Sequence, residues 1–228
     1  LDIKRYALEG EQFAVIRIKF NNGDEYEIAT YRTDIGEGRR PAAVVFASEE
    51  DDVNRRDLTI NALFYNIDTC EIVNYVGGID DMMNRTIRAV GNPYDRFRED
   101  PLRVLRAIGR LNSLENFSYD PDTWNAILEF NQLIGVSKDR IHEELYKAIS
   151  KAKNPNNVMK DIYKASLFSQ ILPNIKVEPI ECFSSNICVQ ISVWSRNSLT
   201  SDLQKCLSNM RFSKQENNAI IFLHNFYK

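Results

Sequence analysis

The segment Arg98-Glu99-Asp100-Pro101-Leu102-Arg103-Val104-Leu105-Arg106 carries residue types that could read a heterocycle. Asp100 and Arg103 are three apart, so on a helix they share a face. The carboxylate would accept from an exocyclic amino group while the guanidinium donates to a ring nitrogen. That pair complements the N4 amino group and N3 of cytosine, and the N6 amino group and N1 of adenine. Uracil and guanine present the opposite polarity at those atoms. A site built this way rejects the wrong base because buried polar groups would be left unpaired. Arg106, one turn further on, would face phosphates with a two-pronged donor. From spacing alone the plainer alternative is an exposed ion pair worth roughly a few tenths of a kcal/mol. Asp100 is expected on a surface-facing turn, so Asp100→Ala should cost specificity more than fold.

A second segment, Asn54-Arg55-Arg56-Asp57-Leu58-Thr59-Ile60-Asn61-Ala62-Leu63, reads as the opening of a helix over 54–66 with Leu58, Ala62 and Leu63 on one face. Two arginines at a helix start oppose the dipole unless an anion is bound there. Asp57 beside them could hold a ribose hydroxyl. A solvated charged cap is the bland alternative.

The rest of the chain narrows the classes. Its 228 residues, 43% hydrophobic and 11% aromatic, can build one large core or two small ones. The longest clean apolar run, 42–47, is too short to cross a bilayer. Two histidines argue against a His-rich metal site or a Ser-His-Asp hydrolase. There is no G-x-G-x-x-G and no Walker A run. Cys70, Cys182, Cys188 and Cys206 form no C-x-x-C pair and read as reduced thiols. Residues 151–228 hold ten basic and five acidic groups, against 19 and 27 before them. An acidic front half and a basic back half fit nucleotide chemistry in front and a polyanion contact behind, or an ordinary mixed surface.

The elements that must position these residues change character along the chain. Residues 13–20 and 25–32 alternate as two strands of a hairpin around Asn21-Asn22-Gly23-Asp24. Asp34 to Pro41 reads as a loop, 43–47 as a third strand and 71–75 as another. Gly77-Gly78 breaks the chain. Beyond it the period is helical: 99–111 with Leu102, Leu105, Ala107 and Ile108 on one side, a helix capped by Asp120-Pro121, one from Ser137 to Ile149, and one opened by Asn154-Pro155. Short helices are expected after about 175. The fold class is α+β: a head with a β-sheet and flanking helix, then an all-α neck and partial body. The expected divisions are 1–91, 92–150 and 151–228.

Taken together, Arg55-Arg56-Asp57-Leu58-Thr59-Ile60-Asn61-Ala62-Leu63, Gly77-Gly78-Ile79-Asp80-Asp81 and Glu99-Asp100-Pro101-Leu102-Arg103-Val104-Leu105-Arg106-Ala107 resemble the class II tRNA nucleotidyltransferase family. This family comprises CCA-adding enzymes and bacterial poly(A) polymerases. Tyr26-Glu27-Ile28-Ala29-Thr30-Tyr31-Arg32 and Ser137-Lys138-Asp139-Arg140-Ile141-His142-Glu143-Glu144-Leu145 extend the likeness, which runs from about 12 to about 173. The resemblance implies template-independent addition of CMP and AMP from CTP and ATP to the 3′ end of a tRNA, with Mg²⁺, in the cytoplasm. It implies that Arg56 contacts phosphates, Asp57 the ribose, Asp100 and Arg103 the base, and Arg106 the triphosphate. Gly77, Gly78 and Asp81 would form a flexible connection between head and neck. The loop 33–41, with Arg39 and Arg40, would be the family's flexible loop, and Glu27 would stand near the metal as a catalytic acid. A solvent-facing strand acid is an equal reading for Glu27. Lys and Arg residues after 151 would touch RNA phosphates.

Two departures matter. The family's Gly-Gly stretch with Val-Arg-Asp and its metal-binding Asp-x-Asp are absent from the sequence. Leu1 in place of Met is read as a trimmed start. A separate chain supplying the motif, or a non-catalytic nucleotide- or RNA-binding fragment, are the other readings. A poly(A) polymerase of the same family is the alternative activity. Gly109 also stands where the family usually has a second triphosphate arginine, with Arg110 turned about 100° away, so weaker nucleotide binding is expected.

Overall fold

The computed structural model describes residues 3–9, 15–35, 43–130 and 132–228. Strands β1 (Ile3–Glu9), β2 (Val15–Phe20) and β3 (Glu25–Ala29) form an antiparallel sheet in chain order. The expected hairpin is present between β2 and β3. Its register sets Ile16 opposite Ile28 and Ile18 opposite Tyr26, while Arg17 faces Glu27 and Lys19 faces Glu25. Alternation thus sorts the sheet into one apolar and one charged face. Residues 32–35 do not extend β3: they form β4 (Arg32–Ile35), which pairs with β5 (Ala43–Phe46). Residues 33–35 are therefore strand rather than loop. Arg39 and Arg40 lie outside the described residues.

Next comes α1 (Glu49–Asn54), opened by a capping box between Ser48 and Asp51. A 3₁₀ turn (Thr59–Asn61) follows, and then the hairpin β6 (Phe64–Asn66) and β7 (Glu71–Val73). The expected helix over 54–66 is not formed. Leu58 is extended and bridges Ala89 instead, with Thr59 N–H donating to the Arg88 carbonyl and Val90 N–H to the Asp57 carbonyl. Leu58 is 1% exposed in this bridge. Burial across the chain overrides the helical spacing of Leu58, Ala62 and Leu63.

After α2 (Gly78–Met83), the strand β8 (Thr86–Ile87) pairs in parallel with β9 (Ser118–Tyr119). The remainder is helical: α3 (Pro93–Glu99), α4 (Leu102–Ser113), α5 (Pro121–Glu129), α6 (Lys138–Lys151), α7 (Pro155–Lys164), α8 (Phe168–Ile171), α9 (Ile187–Trp194), α10 (Thr200–Asn209) and α11 (Lys214–Tyr227). Asp120 and Asn154 cap α5 and α7 as their sequence predicts, each followed by a proline in the first turn. The expectation of short helices at the end is exceeded by α11, 14 residues long. A single apolar cluster runs from Leu58 through α3–α11 to Ile220, with Trp194 fully buried and stacked on Phe168. Val53, Ala62 and Val90 form a smaller cluster under Phe64 and Val76. Among the described residues no helix is long and apolar enough to cross a membrane.

Candidate nucleotide site

The capping box starts α1 at Glu49, so Arg55 and Arg56 fall at its C-terminal end. This corrects the expectation of two arginines at a helix start. Cations at a C-terminus are favoured by the dipole and need no bound anion to explain them. Arg56 donates to Asp52 from Nε and Nη2, both at 3.1 Å, and to the Asn61 carbonyl at 2.9 Å. Its guanidinium lies 4.6 Å from the Phe64 ring centre. Asp57, 7% exposed, accepts from Leu58 N–H at 2.9 Å and from Asn61 at 3.4 Å.

The expected helix over 99–111 is broken at Asp100-Pro101. A residue before proline is pushed toward extended geometry, and Asp100 has φ −142° and ψ 98°. Asp100 and Arg103 thus flank a corner instead of sharing a helix face. The Asp100 carboxylate turns inward, accepting from Leu102 N–H at 3.3 Å and from Arg140 Nη2 of α6 at 3.2 and 3.1 Å. At 8% exposure it is not on a surface-facing turn.

Three arginines of α3 and α4 reach back to the end of α1. Arg96 donates to the Asn54 carbonyl at 2.6 Å, Arg103 to the Arg55 carbonyl at 2.9 Å, and Arg106 Nη2 stands 2.7 Å from Asp57 Oδ2. Arg103 is also held by Glu99 at 2.7 Å and the Arg96 carbonyl at 3.0 Å. Burial holds the Arg96 guanidinium below its ordinary value, against the opposing pull of Glu99. The structure therefore joins Asp57 to Arg106, and the Arg55-Arg56 turn to Arg103, at one seam between the head and α4. About half of the Arg106 side chain remains exposed there.

Gly77, Gly78 and Asp81 form the other half of the seam, and it is packed. Gly77 caps α2 at φ +74°, and a Cβ on Gly78 would overlap the Thr59 carbonyl oxygen. Asp81, 6% exposed, accepts from Thr59 Oγ1 at 2.7 Å and from Arg88 at 3.1 and 3.2 Å. Arg88 also holds Asp120, the α5 cap, at 2.5 Å. Burial opposes the Arg88 charge, but these two acids outweigh it and hold the guanidinium above its ordinary value. In this structure the segment expected to connect head and neck is packed against Thr59 and Arg88.

Glu27 stands apart on the charged face of the sheet, 2.5 Å from Arg17 and well exposed. Among the described residues no three His, Cys, Asp or Glu side chains gather where they could hold a metal ion. A lone carboxylate already bridged to an arginine does not fit Mg²⁺, which takes oxygen ligands in near-octahedral geometry.

Two stretches match family models: residues 2–88 match the poly A polymerase head domain, and 116–178 a probable RNA and SrmB-binding site of polymerase A. Curated CCA-adding enzymes match too. That of Ligilactobacillus salivarius is 41% identical over 152 residues, 65% of this chain and 37% of the relative. That of Enterococcus faecalis is 43% identical over 129 residues, 55% of this chain and 31% of the relative. This chain belongs to the family of CCA-adding enzymes and poly(A) polymerases. It spans less than half the length of those curated members. Among solved members, the Bacillus stearothermophilus CCA-adding enzyme in complex with CTP superposes with a TM-score of 0.73. The match is 22% identical and covers 92% of this chain and 53% of that one. The Thermotoga maritima enzyme complexed with tRNA also gives 0.73, at 18% identity, covering 96% of this chain and 55% of that one. At such identities the superposition speaks for the family fold.

Within this family member, sequence reasoning missed Asp52, Arg96 and Arg140. Asp52 was legible in principle: it precedes Arg55 and Arg56 by three and four residues, the helical contact spacing. Misplacing α1 hid it. Arg140 carries no local signal, because its partner is 40 residues away. His142, from the same segment, pairs with Glu216 at 3.2 Å and edges onto Phe212. Gly109 is explained by packing: a Cβ there would sit 2.9 Å from Ala148 Cβ, so α4 and α6 leave no room for an arginine.

Proposed function

We propose that this chain holds the nucleotide-recognition part of a template-independent RNA nucleotidyltransferase. Its reaction adds CMP and AMP from CTP and ATP to the 3′ end of tRNA and releases pyrophosphate. The observation that carries this reading is the Asp57–Arg106 ion pair, which sets a carboxylate and a half-exposed guanidinium side by side at the seam that Arg103 also closes through the Arg55 carbonyl. Arg56 and Arg106 meet the triphosphate, where a planar guanidinium fork suits phosphate oxygens. Asp57 takes a ribose hydroxyl. Asp100 and Arg103 read the base once it displaces part of the bonding that turns them inward, to Arg140 for Asp100 and to Glu99 and the Arg55 and Arg96 carbonyls for Arg103. The RNA 3′-hydroxyl oxygen attacks the α-phosphorus and gives up its proton to solvent; the new oxygen–phosphorus bond forms as the bond to the pyrophosphate oxygen breaks. Family structures described as complexes with CTP, with ATP and with tRNA support these partners. Exposed Lys151, Lys164 and Lys205 of the helical end would meet RNA phosphates in a salt-sensitive, sequence-blind contact.

Equilibrium dialysis of this chain with labelled CTP, ATP, UTP and GTP is the first test. CTP and ATP are expected to bind and Arg106→Ala to lose them. Equal binding of all four overturns the base-reading pair, and no binding of any overturns the site. In the full gene product, an ordered C-C-A product on a tRNA lacking its 3′ end supports this activity over poly(A) synthesis.

A further inference from the structure

Asp52 is the least expected charge in the head. Only 2% of it is exposed, and its helical spacing to Arg55 and Arg56 is its one local sign in the sequence. Its two oxygens are divided between two arginines. Oδ1 takes Arg55 through Nε and Nη2, and Oδ2 takes Arg56 through the same two nitrogens at 3.1 Å. A buried carboxylate is costly unless paired and hydrogen-bonded, and here each oxygen meets the side-on edge of a guanidinium. A guanidinium carries five N–H donors. Arg56 gives two to Asp52 and one to the Asn61 carbonyl, which leaves one on each terminal nitrogen. A third of the Arg56 side chain is exposed, and Phe64 backs the guanidinium plane. What remains free is therefore a preset two-pronged donor. Arg55, on the other oxygen, is fixed as well, and its carbonyl is the acceptor for Arg103.

We infer that Asp52 is a positioning residue for nucleotide binding: it fixes the Arg56 guanidinium so that its two remaining donors meet phosphate oxygens of the bound triphosphate. This rests on the nucleotide reading of Arg56 given above. The carboxylate touches no nucleotide itself. It orders a long side chain in advance, so that its conformational freedom is not lost at the moment of binding. Because the grip is on phosphate, losing it affects every nucleotide alike.

The test is a double-mutant cycle in equilibrium dialysis with labelled ATP and CTP, using Arg56→Ala, Asp52→Asn and the pair, with each variant's thermal midpoint measured beside it. Asp52→Asn alone is expected to weaken both nucleotides about tenfold and equally, a loss of about 1.4 kcal/mol. In the Arg56→Ala background it is expected to do nothing more. Asp52→Asn at unchanged affinity, or with the same loss in both backgrounds, overturns the inference while the nucleotide site stands. Arg56→Ala at unchanged affinity removes the reading of Arg56 and the inference with it. Should Asp52→Asn fail to fold, Asp52→Glu keeps the charge and displaces it by a methylene. A folded Asp52→Glu protein that binds as the parent does also overturns the inference, and a several-fold weaker one abolished by Arg56→Ala supports it.

Discussion

Arg140 of α6 places one terminal nitrogen within 3.2 Å of both carboxylate oxygens of Asp100, across the corner between α3 and α4. The proposed base-reading carboxylate is thus oriented by a helix far along the chain. Asp100→Ala strands a mostly buried guanidinium, so it is expected to lower stability by about 1–3 kcal/mol as well as relax base choice. Asp100→Asn separates the two effects. It keeps the shape and the bond to Arg140 but offers an amide donor to the base, so UTP should gain on CTP in dialysis. Unchanged discrimination with Asn at 100 sinks the assignment.

The close approach of Gly109 to Ala148 makes a second expectation. Gly109→Ala forces α4 and α6 apart at a contact of 2.9 Å and should destabilise by about 1–3 kcal/mol, read in a denaturant melt. Ala148→Gly in the same chain should recover only part of that loss, because the Ala148 Cα still lies 3.2 Å from the added Cβ and a glycine inside α6 costs about 1 kcal/mol. A neutral Gly109→Ala would mean that the helices part freely.

Asp161 gives a pH-dependent prediction. Burial pushes its carboxyl above the usual range, although bonds from Asn112 and Tyr119 and the charge of Lys164 pull the other way. The sign follows: an acid with a raised folded-state pKa stabilises the fold below its unfolded pKa, near 3.8, and loses that as pH rises through the folded value. Both bonds fall on the same oxygen, Oδ2, at 3.0 and 3.2 Å, so asparagine can keep both. Asp161→Asn is expected to match or exceed the parent at pH 7, with the gap closing toward pH 4. A gap that widens on acidification refutes this.

The Gly78 joint gives a fourth. Gly78→Ala has no room beside the Thr59 carbonyl and should displace α2, lowering stability and weakening nucleotide binding through the shifted Asp57. Arg88→Ala, which frees Asp81 and Asp120 together, should do the same more mildly. Full nucleotide affinity in both variants would show the joint to be independent of the site.

Local chemistry made much of this architecture readable. The β2–β3 hairpin, the Asp120-Pro121 and Asn154-Pro155 helix starts and the apolar side of α4 follow from alternation, caps and helical spacing within a few residues. The run from Arg55 to Leu63 was misread because Leu58 is claimed by Ala89, some thirty residues later, and a helix pattern cannot report that pairing. Pro101 marks the α3–α4 corner, which the helical spacing of Asp100 and Arg103 does not report. Pairing Asp57 with Arg106 and Asp100 with Arg140 needed the tertiary fold.

The seam also constrains how the protein is made. Its head-side half, ending at Asp57, leaves the ribosome well before Ala89, Arg96, Arg103 and Arg106 exist to hold it. Until those residues emerge, the Asp57 carboxylate lacks its arginine and the Leu58 strand has no partner. Arg140 arrives later still. The nascent chain must therefore carry an unpaired carboxylate and an unpartnered strand through tens of residues of synthesis, a window in which mispairing and chaperone capture compete with folding.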